Sequence, residues 1–425
     1  MYPPILRPKA QRQLKSIEQA DLVIGLPSYN NPQRAAHVTR VALKGLRQHY
    51  PHLRTVLINA DAGLRATTRQ AVVEQASRNG HNSHIVSSRY EGVLGQGSAC
   101  AALLDAALAL DAKAIVILDS YSHGITPNWI AGLAHLILED KTDLVMPRYR
   151  RWLSPNGVLN DLIAYPLLRA LYGKSIRHPL ASDFALSPQL ATAILDEDVW
   201  GTAVAKLGFS PWLVSYAMVS GWRVAQSALG EKVVALETSS RSQNKKLAAQ
   251  FQRFFQDTTS VLFSLLAQTK SYWQATDTVN SIPTLTHFAS EVPMDDIDIE
   301  DTVHLLDNLA LGWIEYRRLW QTTLAPDNLT HIEALASLPP DRFHFPADLW
   351  AKIIYDFATV FNKGEIDPNQ IVDSLYPLYQ GRKAAFSQEV AGLAFVGREG
   401  TVAAQAVEFE ETRPYLMKRW QSYRL

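Results

Sequence analysis

From Leu22 to Pro147 short apolar runs alternate with longer amphipathic stretches. The runs "LVIGLP", "TVLINA", "HIVSS", "AIVIL" and "DLVMP" have strand length. Between them lie stretches such as "PQRAAHVTRVALKGLRQHY" and "GSACAALLDAALALDA", which read as helices. Strands alternating with helices predict a parallel sheet with crossover helices, an α/β fold. Residues 1–20 are expected to form an N-terminal arm. From 150 to 237 the pattern is irregular, with turn signals in "SPNG" and "GFSP". Beyond Glu237 it turns helical. "LAAQFQRFFQDTTSVLFSLLAQ" and "VHLLDNLALGWIEYRRLW" carry apolar residues at three- and four-residue spacing. The expected organisation is an α/β domain over 21–240 and an all-helical domain over 241–425.

A chain of 425 residues exceeds one compact core of usual size, which agrees with two domains. Lys plus Arg equals Asp plus Glu at 41 each, so no global field draws the chain to nucleic acid. No run of about 18 apolar residues occurs, so no transmembrane segment is expected. The N-terminus lacks the apolar core of a signal peptide. Cys100 is the single cysteine. It excludes an internal disulfide and a thiolate cluster, and a cytoplasmic location is expected.

In open α/β sheets ligands bind at the carboxyl ends of the strands. Ser28–Asn31, Ala60–Gly63 and Asp119–Gly124 close three of the predicted strands and are the first places to look for chemistry. Asp61 and Asp119 are candidate ligand-binding acids there; each could equally cap a turn. The large aromatics Trp313, Trp350 and Tyr355 fall at helical spacing and read as core.

Several stretches together resemble one family. They include "VIGLPSYNN", "VLINADAG", "GQGSACAALLDAALALDAKAIVILDS", "NDLIAYPLLRALYGKSIRHPLASDFALS" and "GWRVAQSALGEKV", with "FHFPADLWAKIIYDFATVFNKG" in the helical part. In order and spacing they are similar to the GT-A fold glycosyltransferases of the glucosyl-3-phosphoglycerate, glucosylglycerate and mannosylglycerate synthase group. The resemblance implies a GT-A, Rossmann-like nucleotide-sugar-binding domain. It implies retaining transfer of glucose or mannose from a UDP or GDP sugar to glycerate or a phosphoglycerate-like acceptor. It also suggests a homodimer. Carried onto this sequence, the donor site comprises Pro27, Tyr29, Asp61, Gly95, Gln96, Gly97, Asp119, Arg150 and Arg151. Asp183 and Arg177 are the catalytic candidates.

The chain departs from the family pattern where charge matters most. The lysine between two glycines is Gln96. The second acid of Asp-x-Asp is Tyr121, which leaves Asp119 alone as a weak metal ligand. The metal-binding histidine after the "LGEK" stretch is replaced at Val233. A divalent ion needs hard oxygen or imidazole ligands, so magnesium or manganese is disfavoured as cofactor. Each such electrostatic loss is typically worth roughly 3 kcal/mol of transition-state stabilisation. Two readings follow. Basic side chains, among them Arg148, Arg150, Arg151, Arg177 and His178, replace the ion in a glycosyltransferase with weak or no metal dependence. Alternatively the chain is an inert pseudo-glycosyltransferase that serves as a scaffold or regulator through a protein partner.

Overall fold

The computed structural model describes residues 3–78, 84–233, 241–276, 280–285 and 302–423. Its strands are, in chain order, β1 (Ile5–Leu6), β2 (Leu22–Ser28), β3 (Thr55–Asp61), β4 (His84–Glu91), β5 (Ala114–Ile117), β6 (Leu144–Leu153), β7 (Lys174–Ser175), β8 (Phe184–Leu186), β9 (Val224–Val233), β10 (Asn280–Ser281) and β11 (Thr284–Leu285). Nine of them form one mixed sheet in the order β1-β4-β3-β2-β5-β8-β6-β9-β11. The chain has the α/β fold expected of a GT-A domain, with helices predominating after it.

Each of the five apolar runs coincides with a strand over all but at most one residue. β2, β3 and β5 are buried along their whole length. This is the reason they read as continuous hydrophobic runs rather than alternating ones. β4, β3, β2 and β5 run parallel. The three-residue β8 then enters antiparallel to both β5 and β6, and β6 pairs parallel with β9. An antiparallel insertion has a topological consequence. It sets the beginning of β8 against the end of β5, with Phe184 opposite Ile117. The residues just outside those two ends, Asp183 and Asp119, are therefore neighbours.

The first twenty residues differ from the expected arm. Ile5 and Leu6 pair with Glu91 and Tyr90, respectively, and a helix over Pro8–Ile17 buries Ala10 and Leu14. Two apolar positions one turn apart are enough to seat a short helix once a strand has fixed its start. A second difference lies at β11, inside the region expected to be all helical. Thr284 and Leu285 add a parallel strand beside β9, and the Gln226 amide donates to the Pro283 carbonyl at 2.8 Å. The β-branched and Pro-containing "SIPTL" suits such an edge.

The chain divides into two compact units. One comprises Met1–Ser154, Ile176–Ala248 and Ser281–Ser290; the other comprises Pro155–Ser175, Ala249–Asn280 and Glu291–Leu425. The second therefore recruits a stretch from the middle of the α/β sequence. Its described elements between Thr302 and Ser422 are all helices. Trp350 and Tyr355 are fully buried in it. The Trp350 indole donates to the Leu162 carbonyl at 2.8 Å and the Tyr355 hydroxyl to the Phe409 carbonyl at 2.6 Å, so each aromatic polar tip is satisfied. Asp356 is buried and accepts from the Ala325 amide, Asn328, Tyr415 and Arg419. No helix among the described residues is long and apolar enough to cross a membrane.

Candidate active site at the carboxyl ends of the central strands

Three aspartates close the strands at the centre of the sheet. Asp61 is the last residue of β3, Asp119 follows β5, and Asp183 precedes β8. Each is held by groups that the chain itself supplies.

Asp61 is fully buried. Its carboxylate accepts from the Ser28 hydroxyl at 3.1 Å and the Gly63 amide at 3.1 Å, and it pairs with Arg69. Burial raises its pKa, and the Gly63, Arg69 and Ser28 donors oppose that rise. Arg69 also donates to the Gly63 carbonyl at 2.9 Å, so it pins the turn as well as the acid.

Asp119 and Asp183 share a cation. The Lys232 ammonium lies 2.8 Å from one Asp119 carboxylate oxygen and pairs with Asp183. Lys232 is 1% exposed, near the end of β9, and Asp183 is wholly buried. Burial alone would lower the Lys232 pKa, but Asp119 and Asp183 outweigh it and the net shift is upward. The ammonium is therefore charged. Asp183 is also linked to Asp119 through the main chain, because the Asp119 amide donates to it at 2.8 Å. The Tyr149 hydroxyl donates to the same Asp183 oxygen that Lys232 contacts, at 2.5 Å. Burial, reinforced by Asp183, pushes the Tyr149 phenol well above its ordinary value, so it acts as a fixed donor.

The layer beneath is aromatic. The Tyr149 amide donates to His178 Nδ1 at 3.1 Å, and the Tyr149, Trp152 and His178 rings lie within 5.6 Å of one another. His178 is buried, and burial followed by the charges of Arg177 and Arg148 drives its pKa well below the usual value. The ring is a neutral acceptor at Nδ1 and carries its proton on Nε2. Arg177 is 7% exposed, and its amide donates to the Gln226 side chain at 2.8 Å. Arg148 is exposed and Arg150 half-buried on β6. The side chain of Arg151 lies outside the described residues.

Tyr121 ties two strand ends together. Its amide donates to Asp119 at 2.9 Å, and its hydroxyl donates to the Tyr29 carbonyl just beyond β2. Burial, with Asp119 beside it, pushes the phenol up to about 12. The Arg34 guanidinium lies 5.7 Å above the ring. The Tyr29 side chain itself is 51% exposed, whereas Pro27 is buried in β2 opposite Ala60.

The glycines at 95 and 97 have a packing reason. A Cβ on Gly97 would lie 2.0 Å from the Val204 carbonyl oxygen, and one on Gly95 would lie 2.4 Å from that of Ala205. The Gly97 amide donates to the Lys206 carbonyl at 3.0 Å and the Gly95 amide to the Tyr90 hydroxyl at 3.0 Å. Both amides are already engaged within the protein. Gln96 is half-buried between them at the start of the helix Gln96–Leu108.

The donor set around Asp119 does not fit a divalent metal ion. Among the described residues no three His, Cys, Asp or Glu side chains converge as a metal site. The two acids that do converge already hold an ammonium, and a second cation a few ångströms from it would be repelled at low dielectric. At the expected histidine position, the Val233 carbonyl accepts from the His123 amide at 2.9 Å.

Sequence reasoning singled out Asp61, Asp119 and Asp183 but missed Lys232, Arg69 and Tyr149. A lysine at the end of a strand that runs beside strand-end acids is the available signal for Lys232.

No family model matches the chain, and no curated protein matches it. Solved structures with a similar fold include glucosyl-3-phosphoglycerate synthase from Mycobacterium tuberculosis in complex with phosphoglyceric acid. It is 17% identical with a TM-score of 0.42, over 61% of this chain and 83% of that one. Mannosyl-3-phosphoglycerate synthase from Rubrobacter xylanophilus is 16% identical with a TM-score of 0.38, over 63% and 79%. A mannosyltransferase from Pyrobaculum calidifontis, in complex with GDP-Man and Mn2+, is 11% identical with a TM-score of 0.40, over 97% and 94%.

Proposed function

We propose that the chain is a glycosyltransferase that takes a UDP or GDP sugar at the carboxyl ends of β2, β3 and β5 and transfers glucose or mannose without depending on a divalent metal. The observation that carries this reading is the Asp119–Lys232–Asp183 cluster at those strand ends. It sets an ammonium against the two acids where the sequence has lost the metal-binding acid and histidine, so those acids are paired without a metal ion. Asp119 is the least buried of the three acids, with 17% of its side chain exposed. It is the one placed to accept from sugar or ribose hydroxyls. Arg150 and Arg177 are the candidates to meet the diphosphate, whose charge grows as the sugar departs. The acceptor, glycerate or a phosphoglycerate, and the retaining outcome follow from the sequence resemblance. A cytoplasmic homodimer belongs to the same reading.

A second reading has its own observation. The Tyr121 hydroxyl bridges to the Tyr29 carbonyl across the strand ends. A chain that binds a nucleotide without turning it over would tolerate such a bridge. Calorimetry with UDP, GDP, UDP-glucose and GDP-mannose in EDTA, followed by product analysis with glycerate and 3-phosphoglycerate, separates the two. Binding together with product supports transfer. Binding without product supports the inert form. Failure of every nucleotide to bind removes both.

A further inference from the structure

The two acids around Lys232 invite a question about what the lysine excludes. Asp119 and Asp183 come from different strands, and their carboxylates converge on one point, where the ammonium sits. The ammonium is anchored from a third strand, β9, and is shut off from solvent. The Tyr149 hydroxyl and the Asp119 amide fix the Asp183 carboxylate, and the Tyr121 amide fixes that of Asp119. Both carboxylates are therefore held in place by groups other than the lysine. Take the lysine away, and two preorganised hard oxygen donors face a space that a long side chain has left.

We propose that Lys232 is the resident cation of a converted metal site, and that this one side chain decides whether the site excludes or admits a divalent ion. Two converging carboxylates with water completing the shell are a donor set that manganese accepts. The ammonium occupies the position that such an ion would take, and it brings one positive charge where the ion brings two. Lys232 acts through Asp119 and Asp183 rather than on a substrate, so it is a positioning residue. The inference concerns the ion alone and stands whether or not the chain transfers sugar.

The test uses the full chain and Mn2+ as the probe, with the loss of the free-ion electron paramagnetic resonance signal as the readout. The native chain is expected to leave that signal unchanged through the millimolar range. Lys232→Met is expected to bind one equivalent at least tenfold more tightly than the native chain. Adding Asp183→Asn to Lys232→Met is expected to abolish that binding. If Lys232→Met does not fold by itself, added Mn2+ must restore its thermal transition. Native binding as tight as that of the variant would overturn the proposal. So would a folded Lys232→Met that ignores the ion, or an unfolded one that the ion does not rescue.

Discussion

The backbone amide of Asp119 donates to the carboxylate of Asp183 at 2.8 Å. The two acids are thus joined through the main chain before any side-chain cation is considered. This bond exists because β8 runs antiparallel to β5, so that the start of one meets the end of the other. The lysine then closes a loop of three charged groups rather than bridging two independent ones.

A closed loop of this sort should show strong energetic coupling. Asp183→Ala removes the acceptor of three donors and leaves Lys232 buried against one acid. Breaking a buried pair from one side costs about 3–5 kcal/mol. The double change Lys232→Met with Asp183→Ala should cost less than the sum of the two single changes, because the second removal relieves the group orphaned by the first. Urea unfolding of the four proteins measures the difference. Additivity within about 0.5 kcal/mol would show Lys232 and Asp183 to be independent.

Tyr121→Phe deletes the bond to the Tyr29 carbonyl and keeps the ring. The expected loss is about 1 kcal/mol. It carries a pH signature. The phenol is held up to about 12 in the folded state, so its contribution is complete below its ordinary value near 10 and is lost as pH rises through about 12. The native chain should lose stability over that window more steeply than Tyr121→Phe. Equal slopes in chemical denaturation between pH 9.5 and 11.5 would mean that the phenol is not buried beside Asp119.

His178 predicts the opposite window. Its folded pKa is depressed, so its contribution is complete above the unfolded value near 6.5 and is lost as pH falls. Below that value the unfolded imidazole takes up a proton that the folded one refuses. The slope approaches about 1.4 kcal/mol per pH unit. His178→Gln, which keeps an acceptor for the Tyr149 amide, should flatten the fall in stability between pH 6.5 and 5 by close to one proton. The slope of unfolding free energy against pH in the two proteins decides it.

Gly97→Ala sets helix propensity against sterics. Alanine is the better helix former by about 1 kcal/mol. Here its Cβ would lie 2.0 Å from the Val204 carbonyl oxygen, a backbone atom that cannot rotate away. Overpacking of this kind costs about 1–3 kcal/mol or more, so the substitution should destabilise. Gln96→Lys, half-exposed beside it, should stay within about 0.5 kcal/mol. A stabilised Gly97→Ala in thermal melts would mean that the helix start sits farther from Val204.

The strands that were easiest to read are those buried on both faces. β2, β3 and β5 are continuous apolar runs of strand length closed by turn residues. β8 was hidden because three residues, "FAL", carry no period. Its antiparallel insertion is what brings Asp183 to Asp119. Lys232 was hidden for a different reason. The family pattern points to a metal ligand at Val233, whereas successive side chains on a strand point to opposite faces, so its neighbour Lys232 serves the other side. Val233 is half-exposed and Lys232 is buried.

The three charges arrive at very different times along the chain. Asp183 lies 64 positions after Asp119, and Lys232 another 49 after Asp183. A chain that has assembled β5 and β8 therefore holds two adjacent carboxylates with no counter-ion, and only the docking of β9 beside β6 relieves them. Closing so long a loop comes late, after its entropy has been met by contacts elsewhere. Interactions formed after the barrier govern how slowly a native state is lost rather than how quickly it is reached. Lys232 is thus expected to act as a kinetic latch: in stopped-flow experiments Lys232→Met should accelerate unfolding and leave the refolding rate nearly unchanged.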